Sequence, residues 1–452
     1  MSKTICAITT PLGTGGVSII RLSGEQSLPV LKKIFTPWGN KNIEPRYMHF
    51  GSLHFQDFCD DALCVYFKAP NSYTGEDVVE INLHGGYYLT KEVLERILQF
   101  EDVRMAEPGE FSKRAVLNGK MDVSKAEGII DIINAGSLSE LRASSNQIVG
   151  NLKKRVDKIQ NELKDIICEV DVAIDYPDQD IEYIDQNTLV DKLKPILSKI
   201  EALQSTARTG AQIKNGVNIA LVGIPNAGKS SLLNAMLGYD RAIVTDVAGT
   251  TRDTLNETYQ FNGIKFNIID TAGLHSTDNI VEKIGIQRTL DAIKDVDLVL
   301  HLIDGTQPTQ QQLDTNFENK NVVTIVNKTD MLSKTQTQNL QNSLSQNNMA
   351  IDMFISAKNN TNIEKLKQYI FDKTIDKEML SQNVLLTNIR HINLLNLAYD
   401  ELNQVLNNAE STTLDCIALL LKDAWLHLGE ITGETTDDAI LDRIFSKFCL
   451  GK

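Results

Sequence analysis

The stretch VNIALVGIPNAGKSSLLNAML, residues 217–237, decides how the middle of the chain folds. Its apolar run, 217–222, predicts a buried strand, and the run after the loop predicts an amphipathic helix. Between them, residues 223–230 read G-x-x-x-x-G-K-S, in the strand–loop–helix context of a phosphate-binding loop. Glycines let backbone N–H groups close around phosphate, and the helix start adds a positive dipole end. We expect Lys229 to reach the β- and γ-phosphates and the Ser230 hydroxyl to bind Mg²⁺.

Later segments extend this nucleotide site. The stretch 254–270, TLNETYQFNGIKFNIID, predicts two strands joined by a type I′ turn at Asn262-Gly263. The second strand ends in Asp270-Thr-Ala-Gly273, where an Asp is placed to hold Mg²⁺ through water and the Gly N–H to meet the γ-phosphate. Two more buried strands, VDLVLHLID and NVVTIV, follow. Strands that alternate with helices predict a parallel sheet covered on both faces, with the hairpin adding an antiparallel edge.

Base selection is predicted at the end of the last of these strands. It runs into Asn327-Lys328-Thr329-Asp330, and the Asp330 carboxylate is placed to accept hydrogen bonds from the guanine N1–H and 2-amino groups. Adenine lacks both donors, so this residue selects GTP over ATP. The backbone of Ser356-Ala357-Lys358 is expected to meet the guanine O6. The order and spacing of these segments are those of Ras-like GTPases.

The residue that positions the attacking water is not evident from these motifs. Ras-type enzymes use a Gln directly after D-x-x-G, and here that position is Leu274. His275, Asp278 and Glu282 are the nearby candidates, and side-chain chemistry alone favours none of them. Arg252 lies in GTTRD (249–253), whose threonines include one expected to close onto Mg²⁺.

The bulk composition of the 452-residue chain excludes several classes of protein. Its net charge of −14 argues against a chain-wide basic surface for nucleic acid, although a local basic face remains possible. No apolar run is long enough for a membrane span, and the first residues lack a signal or transit peptide pattern. The six cysteines are scattered without a C-x-x-C pair, which favours neither zinc nor disulfides and predicts a reducing cytoplasm. The acidic stretch 169–185 predicts a solvated loop between helices.

The flanks indicate a multidomain α/β protein. Residues 1–119 alternate strand and helix patterns, whereas 120–215 and about 375–447 are mostly helical. The two helical stretches are expected to pack together, with the nucleotide-binding domain inserted between them. The predicted domains are 1–119, 120–215, 216–372 and 373–452.

The whole chain resembles the MnmE (TrmE) family of tRNA modification GTPases. The blocks that carry the resemblance are TPLGTGGVSIIRLSG (10–24), SYTGEDVVEINLHGG (72–86), EPGEFSKRAVLNGKMD (107–122), GIPNAGKSSLLNA (223–235), DVAGTTRD (246–253), DTAGLH (270–275), LGEITGETTDDAILDRIFSKFC (428–449) and the C-L-G-K end. It implies an N-terminal folate-binding and dimerisation domain, a helical domain split in sequence, and an inserted Ras-like P-loop GTPase domain.

The resemblance also implies a function and its partners. The family hydrolyses GTP in a potassium-dependent reaction. With the flavoprotein MnmG, it adds an aminomethyl or carboxymethylaminomethyl group to C5 of the wobble uridine of certain tRNAs. Implied cofactors are Mg²⁺, K⁺, and 5-formyltetrahydrofolate or another reduced folate, with FAD and NADH supplied through the partner. A cytoplasmic homodimer that binds GTP, GDP and tRNA, and forms a heterotetramer with MnmG, is implied.

Site residues carry over by position. Asn226 matches a potassium ligand, with carbonyl oxygens near Thr245, Val247 and Thr250 completing the shell. Ser230 and Thr251 match Mg²⁺ ligands, and Glu282 matches the acid that positions the catalytic water. Arg21, Glu80, Lys120 and Lys452 match folate contacts. The predicted nucleotide contacts are Asn226, Ala227, Gly228, Lys229, Ser230, Ser231, Thr245, Asp246, Val247, Ala248, Gly249, Thr250, Thr251, Asp270, Thr271, Ala272, Gly273, Asn327, Lys328, Asp330, Ser356, Ala357 and Lys358.

Cys449 is the remaining candidate. It matches the C-x-G-K end of the family, close to the implied folate site, and a thiolate there is a competent nucleophile. We expect a direct role in tRNA modification; the alternative is a structural role. The motifs of the GTPase domain also leave open a ribosome-assembly or regulatory GTPase switch, which the blocks at 72–86 and 107–122 disfavour.

Overall fold

The computed structural model describes residues 3–176, 185–238, 256–270, 296–307, 321–346 and 350–452. Two compact units are present. The first unit comprises Met1–Ile130, Gln147–Ile196 and Leu397–Lys452, and the second comprises Asp131–Asn146 and Leu197–Asn396. The four predicted domain ranges stay predictions. Among the described residues, no helix is both long enough and apolar enough to cross a membrane.

The first unit contains, within its described residues, a seven-stranded sheet of order β3-β4-β5-β6-β2-β1-β7. Its strands are β1 (Thr4–Ile8), β2 (Val17–Ser23), β3 (Phe35–Pro37), β4 (Met48–His54), β5 (Cys59–Phe67), β6 (Val78–His84) and β7 (Val103–Met105). Because side chains alternate between faces, Cys6, Ile20 and Leu22 enter one buried core. Ile5 and Ala7 pack on the other face with Phe111. The mixed pattern predicted for 1–119 is confirmed.

Among the described residues, two helices lie between strands of this sheet in chain order, and six more follow its last strand and precede residue 217. They are α1 (Ser27–Ile34), α2 (Tyr87–Ile97), α3 (Glu110–Leu117), α4 (Val123–Asn134), α5 (Leu138–Ile148), α6 (Asn151–Asp175), α7 (Gln186–Gln204) and α8 (Ala207–Asn215). The predicted acidic loop is corrected in part: its first residues, 169–175, lie in α6, where buried Val170 and Ala173 continue the apolar face. Residues 177–184 lie outside the described part of the chain.

The second unit contains a six-stranded sheet of order β13-β12-β11-β8-β10-β9, counted over its described residues. Its elements are β8 (Val217–Val222), α9 (Lys229–Leu237), β9 (Asn256–Phe261), β10 (Ile264–Asp270), β11 (Leu298–Asp304), β12 (Val322–Asn327), α10 (Lys334–Gln346), β13 (Met353–Phe354) and α11 (Ile363–Thr374). The pairings are parallel except for β9 on β10. Asn262 and Gly263 have φ of 49° and 77°, as a type I′ turn requires. The predicted hairpin edge is therefore confirmed.

The chain closes with α12 (Lys377–Leu380), α13 (Ile389–Asn408), α14 (Leu414–Thr432) and α15 (Asp438–Phe445). In the first unit, α14 packs along α6. The Gln160 amide donates to the Trp425 carbonyl at 3.1 Å, and Lys422 pairs with Asp171 at 2.9 Å. The two helical stretches thus contact each other as predicted.

A pH-dependent loss of stability is expected from His301 on β11. Burial lowers the pKa of this imidazole to about 4 from its ordinary 6.5. The unfolded chain therefore binds a proton below pH 6.5 that the folded chain does not bind until about pH 4. Stability contributed by the neutral ring falls through that window, by about 2 kcal/mol at pH 5. Denaturant unfolding at pH 7 and pH 5 measures this loss. Between pH 7 and pH 5, the His301→Leu variant should lose about 2 kcal/mol less unfolding free energy than wild type does. If the variant shows the same pH dependence as wild type, His301 is not the group responsible.

Candidate functional site

The phosphate-binding loop has a backbone that its residue types permit. Asn226 and Gly228 have φ of 65° and 97°, in the left-handed region that Asn tolerates and Gly prefers. A Cβ at Gly223 would lie 2.6 Å from the Leu302 carbonyl oxygen, and one at Gly228 would lie 2.3 Å from the Asn327 amide nitrogen. Glycine is thus required at 223 and 228, because residues at the ends of neighbouring strands approach the loop backbone too closely for a side chain.

The first turn of α9 presents the predicted phosphate and Mg²⁺ residues. Lys229 is buried, and its Nζ donates to the Gly223 and Ile224 carbonyls at 2.6 and 3.1 Å. Its ammonium is therefore held inside the curve of the loop, within reach of an anion placed there. Ser230 and Ser231 are exposed on the same turn, and Asn226 is exposed in the loop.

The buried amide of Asn327 joins two predicted segments. At the end of β12, its Nδ2 donates to the Ala227 carbonyl at 3.0 Å, and its Oδ1 accepts from the Ala357 N–H at 3.0 Å. One side chain therefore fixes the phosphate loop against the segment expected to meet the base. Such a buried amide is costly to remove, because both backbone groups would lose their partner.

The Asp330 carboxylate is positioned by Ser356, whose hydroxyl donates to it at 2.6 Å. Lys328, with φ of 63°, pairs through Nζ with Asp304 at 2.6 Å. Burial alone would raise the pKa of Asp304, but hydrogen bonds from Lys328 and Thr306 outweigh it and hold that pKa below its ordinary value. Sequence reasoning missed Asp304, although it is the last residue of a predicted strand.

A cavity of about 360 Å³ lies between α9 and the predicted base-contacting segment. Ser231, Asn234 and Ala235 line it from the helix, and Ala357 and Lys358 from the opposite side. The carboxyl ends of parallel strands meet at this edge of the sheet, which is where open α/β sheets bind ligands.

The remaining predicted nucleotide and metal residues lie outside the described residues. Only the backbone of Asp270 is described, at the end of β10. The others are Thr245, Asp246, Val247, Ala248, Gly249, Thr250, Thr251, Thr271, Ala272, Gly273 and Glu282, together with Arg252, Leu274, His275 and Asp278.

A second cluster lies on the sheet of the first unit. Arg21 on β2 stands opposite Glu80 on β6 in the strand register, and its Nε and Nη2 each lie 2.8 Å from Glu80 Oε1. The guanidinium centre is 5.2 Å from the Tyr73 ring centroid and 5.6 Å from that of Phe111. Arg21 Nη1 is buried and has no hydrogen-bond partner among the described residues.

The last residues of the sequence reach this cluster. Burial first, and then the nearby Arg21, lower the pKa of Lys452, while Glu80 and Cys449 oppose the shift. Cys449 is exposed, and its carbonyl accepts from the Gly109 N–H at 3.4 Å. The structure therefore brings together Arg21, Glu80, Cys449 and Lys452, which are far apart in sequence.

Lys120 occupies a neighbouring position. Its Nζ donates to the Pro70 carbonyl at 2.8 Å, and its stem runs beside Gly75, so it lies along the loop that carries Tyr73. Tyr73 and Phe111 were missed by sequence reasoning. They stand in the blocks 72–86 and 107–122, where an aromatic residue near a cation was the available signal.

Comparisons with known proteins agree with these features. The family model described as the MnmE helical domain matches residues 123–449, and the one described as the GTP-binding protein TrmE N-terminus matches residues 4–120. The tRNA modification GTPase MnmE of Clostridioides difficile strain 630 is 39% identical over 462 residues, covering 100% of both chains. The protein of the same name from Lactobacillus gasseri is 38% identical, covering 99% of this chain and 98% of its own.

Among solved structures, the G domain of the T. maritima FeoB iron transporter is 29% identical and covers 35% of this chain and 98% of its own. Its TM-score of 0.25 is too low to support a structural argument. The full-length relatives and the two family models are sufficient without it: the chain belongs to the MnmE (TrmE) family of tRNA modification GTPases.

Proposed function

We propose that this protein hydrolyses GTP in a potassium-dependent cycle and, with the flavoprotein MnmG, modifies C5 of the wobble uridine of certain tRNAs. The added group is aminomethyl or carboxymethylaminomethyl, and a reduced folate such as 5-formyltetrahydrofolate supplies the one-carbon unit. FAD and NADH act through the partner. The working form is a cytoplasmic homodimer that assembles with MnmG into a heterotetramer.

The observation that carries the GTPase part is the Asn327 bridge. By joining the Ala227 carbonyl to the Ala357 N–H, it fixes the phosphate loop against the segment expected to contact the base. Lys229 then binds the β- and γ-phosphates, and Asp330 selects guanine through its carboxylate. Preorganised donors of this kind stabilise the charge that develops during phosphoryl transfer.

The exposed residues of the loop fit the two metal ions. Ser230 offers a hydroxyl at the first turn of α9, which suits Mg²⁺, and Asn226 offers an exposed amide oxygen, which suits K⁺. By the match to the family, Thr251 would complete the Mg²⁺ set, and backbone oxygens near Thr245, Val247 and Thr250 would complete the K⁺ set. Bound there, K⁺ would supply positive charge that offsets the charge developing on the phosphates. By the match to the family, Glu282 positions the attacking water, a role that Leu274 in the place of the Ras-type Gln cannot fill.

Potassium dependence gives a direct prediction. Wild-type protein should hydrolyse GTP about ten-fold faster or more in KCl than in NaCl. A cation at this position would offset developing charge, and Na⁺, which is smaller and more strongly hydrated, would fit the proposed oxygen shell less well. Asn226→Ala should lose most of that difference while still binding GDP, since Lys229 and the loop backbone remain. Equal rates of the wild type in the two salts would remove potassium from the proposal. Asn407→Ala, an exposed change on α13 that touches no nucleotide residue, is the matched control.

The Arg21 cluster fits a folate. Its orphaned Nη1 needs an acceptor, and a pterin carbonyl or a glutamate carboxylate is one. Tyr73, which is partly exposed, supplies a flat ring beside it, the buried Phe111 ring supports the guanidinium, and Lys452 adds a second cation. When bound, the folate supplies a one-carbon unit. Arg21, Glu80, Lys120 and Lys452 hold and orient it, and Cys449 acts in tRNA modification at the same cluster.

The alternative is a ribosome-assembly or regulatory GTPase switch, which would have the same nucleotide site. Folate binding separates the two readings, because only the modification enzyme needs the Arg21 cluster. The deciding experiment is nucleoside mass spectrometry of bulk tRNA from cells that lack this protein. We expect the C5-aminomethyl wobble uridines to vanish and to return with wild type, and not with a variant that cannot bind GTP. Unchanged nucleosides after deletion would favour the switch.

A further inference from the structure

A second cavity, of about 430 Å³, lies in the helical part of the first unit. It opens between α6 and the α14 region and is lined by Lys153, Gln160, Lys164, Trp425 and Glu434, among others. It is large enough for one nucleotide, since small-molecule sites begin at about 300 Å³. None of these residues is used by the GTPase site or by the Arg21 cluster.

One wall of this cavity carries an unsatisfied acceptor. Gln160 is 4% exposed, and its Nε2 is fixed on the Trp425 carbonyl at 3.1 Å. That bond orients the amide, and Oε1 is left buried with no hydrogen-bond partner among the described residues. A buried acceptor of this kind costs free energy until a donor reaches it. The N–H groups of a nucleobase edge are such donors.

Among the described residues, most of the charged groups at the cavity already have ion-pair or hydrogen-bond partners, but one cation does not. Lys153 pairs with Asp157 at 3.0 Å, and Asp122 accepts from Ser124 and Lys125 at the start of α4. Lys164 has no partner among the described residues and is exposed, and Glu434 is an exposed carboxylate at the other wall. Lys164 is therefore available to a phosphate, and the Trp425 indole to a stacked base.

The surface beside the cavity is basic, on a chain whose net charge is −14. Residues 151–164, NLKKRVDKIQNELK, hold five basic and two acidic side chains. Lys154, Arg155 and Lys158 are exposed and unpaired within the described part of the chain. At 3.6 residues per turn, these three residues lie on the face of α6 that adjoins the cavity-lining face. Their face lies opposite buried Val156 and its apolar neighbours.

We propose that this basic face and the cavity together form a docking site for an unpaired segment of the substrate RNA. Lys154, Arg155 and Lys158 contact successive phosphates, and Lys164 contacts the phosphate of the nucleotide that enters the cavity. Its base stacks on Trp425 and donates to Gln160 Oε1. Phosphate contacts, an aromatic platform and a base-edge acceptor are the three elements by which proteins bind single-stranded RNA. The proposal rests on the tRNA function proposed above.

Equilibrium binding of a labelled anticodon stem–loop RNA to the full chain, over a salt series, tests this. Three simultaneous changes, Lys154→Gln, Arg155→Gln and Lys158→Gln, should weaken binding about ten-fold or more and make the salt slope shallower by about 2. Trp425→Leu should weaken binding about five-fold or more without changing the slope, and Trp425→Phe should restore it. The matched control neutralises Lys32, Lys41 and Lys68, which are exposed on the same unit, and should bind within two-fold of wild type.

Several outcomes would overturn the docking site. They are no RNA binding by wild type, wild-type affinity in both sets of variants, or an equal loss in the Lys32, Lys41 and Lys68 control. Binding that heparin abolishes and that Trp425 variants leave unchanged indicates a general polyanion surface, and also overturns it. GTP hydrolysis and thermal melting of each variant show that it is folded. If wild type restores the wobble nucleosides while these variants bind RNA normally, the docking site is wrong and the proposed function stands. If wild type does not restore the wobble nucleosides, the proposed function itself is wrong.

Discussion

Replacing Asp330 with Asn is expected to change the base preference of the nucleotide site from guanine to xanthine. In the proposed binding mode the carboxylate accepts from the guanine N1–H and 2-amino groups, and hydrogen bonds to a charged group contribute about 1.5–3 kcal/mol each. Their loss should weaken GTP binding about 100-fold or more. Xanthine has a carbonyl where guanine has the 2-amino group, so the Asn amide N–H regains a partner. Competition between GTP and XTP for a labelled guanine nucleotide measures both changes.

The Ser356 hydroxyl provides the control for this prediction. It donates to Asp330 Oδ1 at 2.6 Å, and its role is to orient the carboxylate. Ser356→Ala should therefore weaken GTP binding by a much smaller factor, about ten-fold or less, without admitting XTP. If Asp330→Asn retains wild-type affinity for GTP, or binds neither nucleotide while its melting temperature is unchanged, the assignment of this residue to base selection is wrong.

Replacing Cys449 with Ser is expected to abolish wobble-uridine modification and to leave GTP hydrolysis intact. The thiol is exposed beside the Arg21 cluster, and the nucleotide residues stand on a different sheet. A serine hydroxyl has nearly the same size but is a far weaker nucleophile at neutral pH. Nucleoside mass spectrometry of a complemented deletion strain, with the hydrolysis rate of the purified variant, separates the two activities. Full restoration of the modified nucleosides by the Ser variant would leave Cys449 a structural role.

Position as well as chemistry should matter at this end of the chain. Gly451 has φ of 91°, and a Cβ there would lie 2.5 Å from the Ile8 carbonyl oxygen. Gly451→Ala should therefore displace Cys449 and Lys452 from the cluster and reduce modification nearly as far as Cys449→Ser does. Gly39→Ala is the control. Gly39 has a similar φ of 73°, and no atom lies within 4 Å of the new Cβ, so this change reproduces the backbone strain without the clash. Modification that survives Gly451→Ala would show that close placement of the thiol is unnecessary.

Local patterns predicted much of the fold because the periods of strand and helix are properties of neighbouring residues. The strand at 217–222 and the turn at Asn262-Gly263 have the predicted bounds. The start of α2 at Tyr87 is not evident from local pattern, because Gly86 before it is extended and offers no side-chain cap. The charge of the stretch 169–185 predicts a loop, but the apolar spacing of Val170 and Ala173 keeps residues 169–175 helical.

The sequence by itself determined the chemical groups available to this protein: a phosphate-loop motif, the Asp330 carboxylate proposed to select guanine, and the Cys449 thiol. Sequence motifs identify these groups because each motif consists of residues a few positions apart. Only the tertiary structure decided that Asn327 joins the loop to the Ser356 segment, that Arg21 pairs with Glu80 between two aromatic rings, and that Cys449 and Lys452 reach them. Such contacts depend on strand register and on packing between distant segments, which no local spacing encodes.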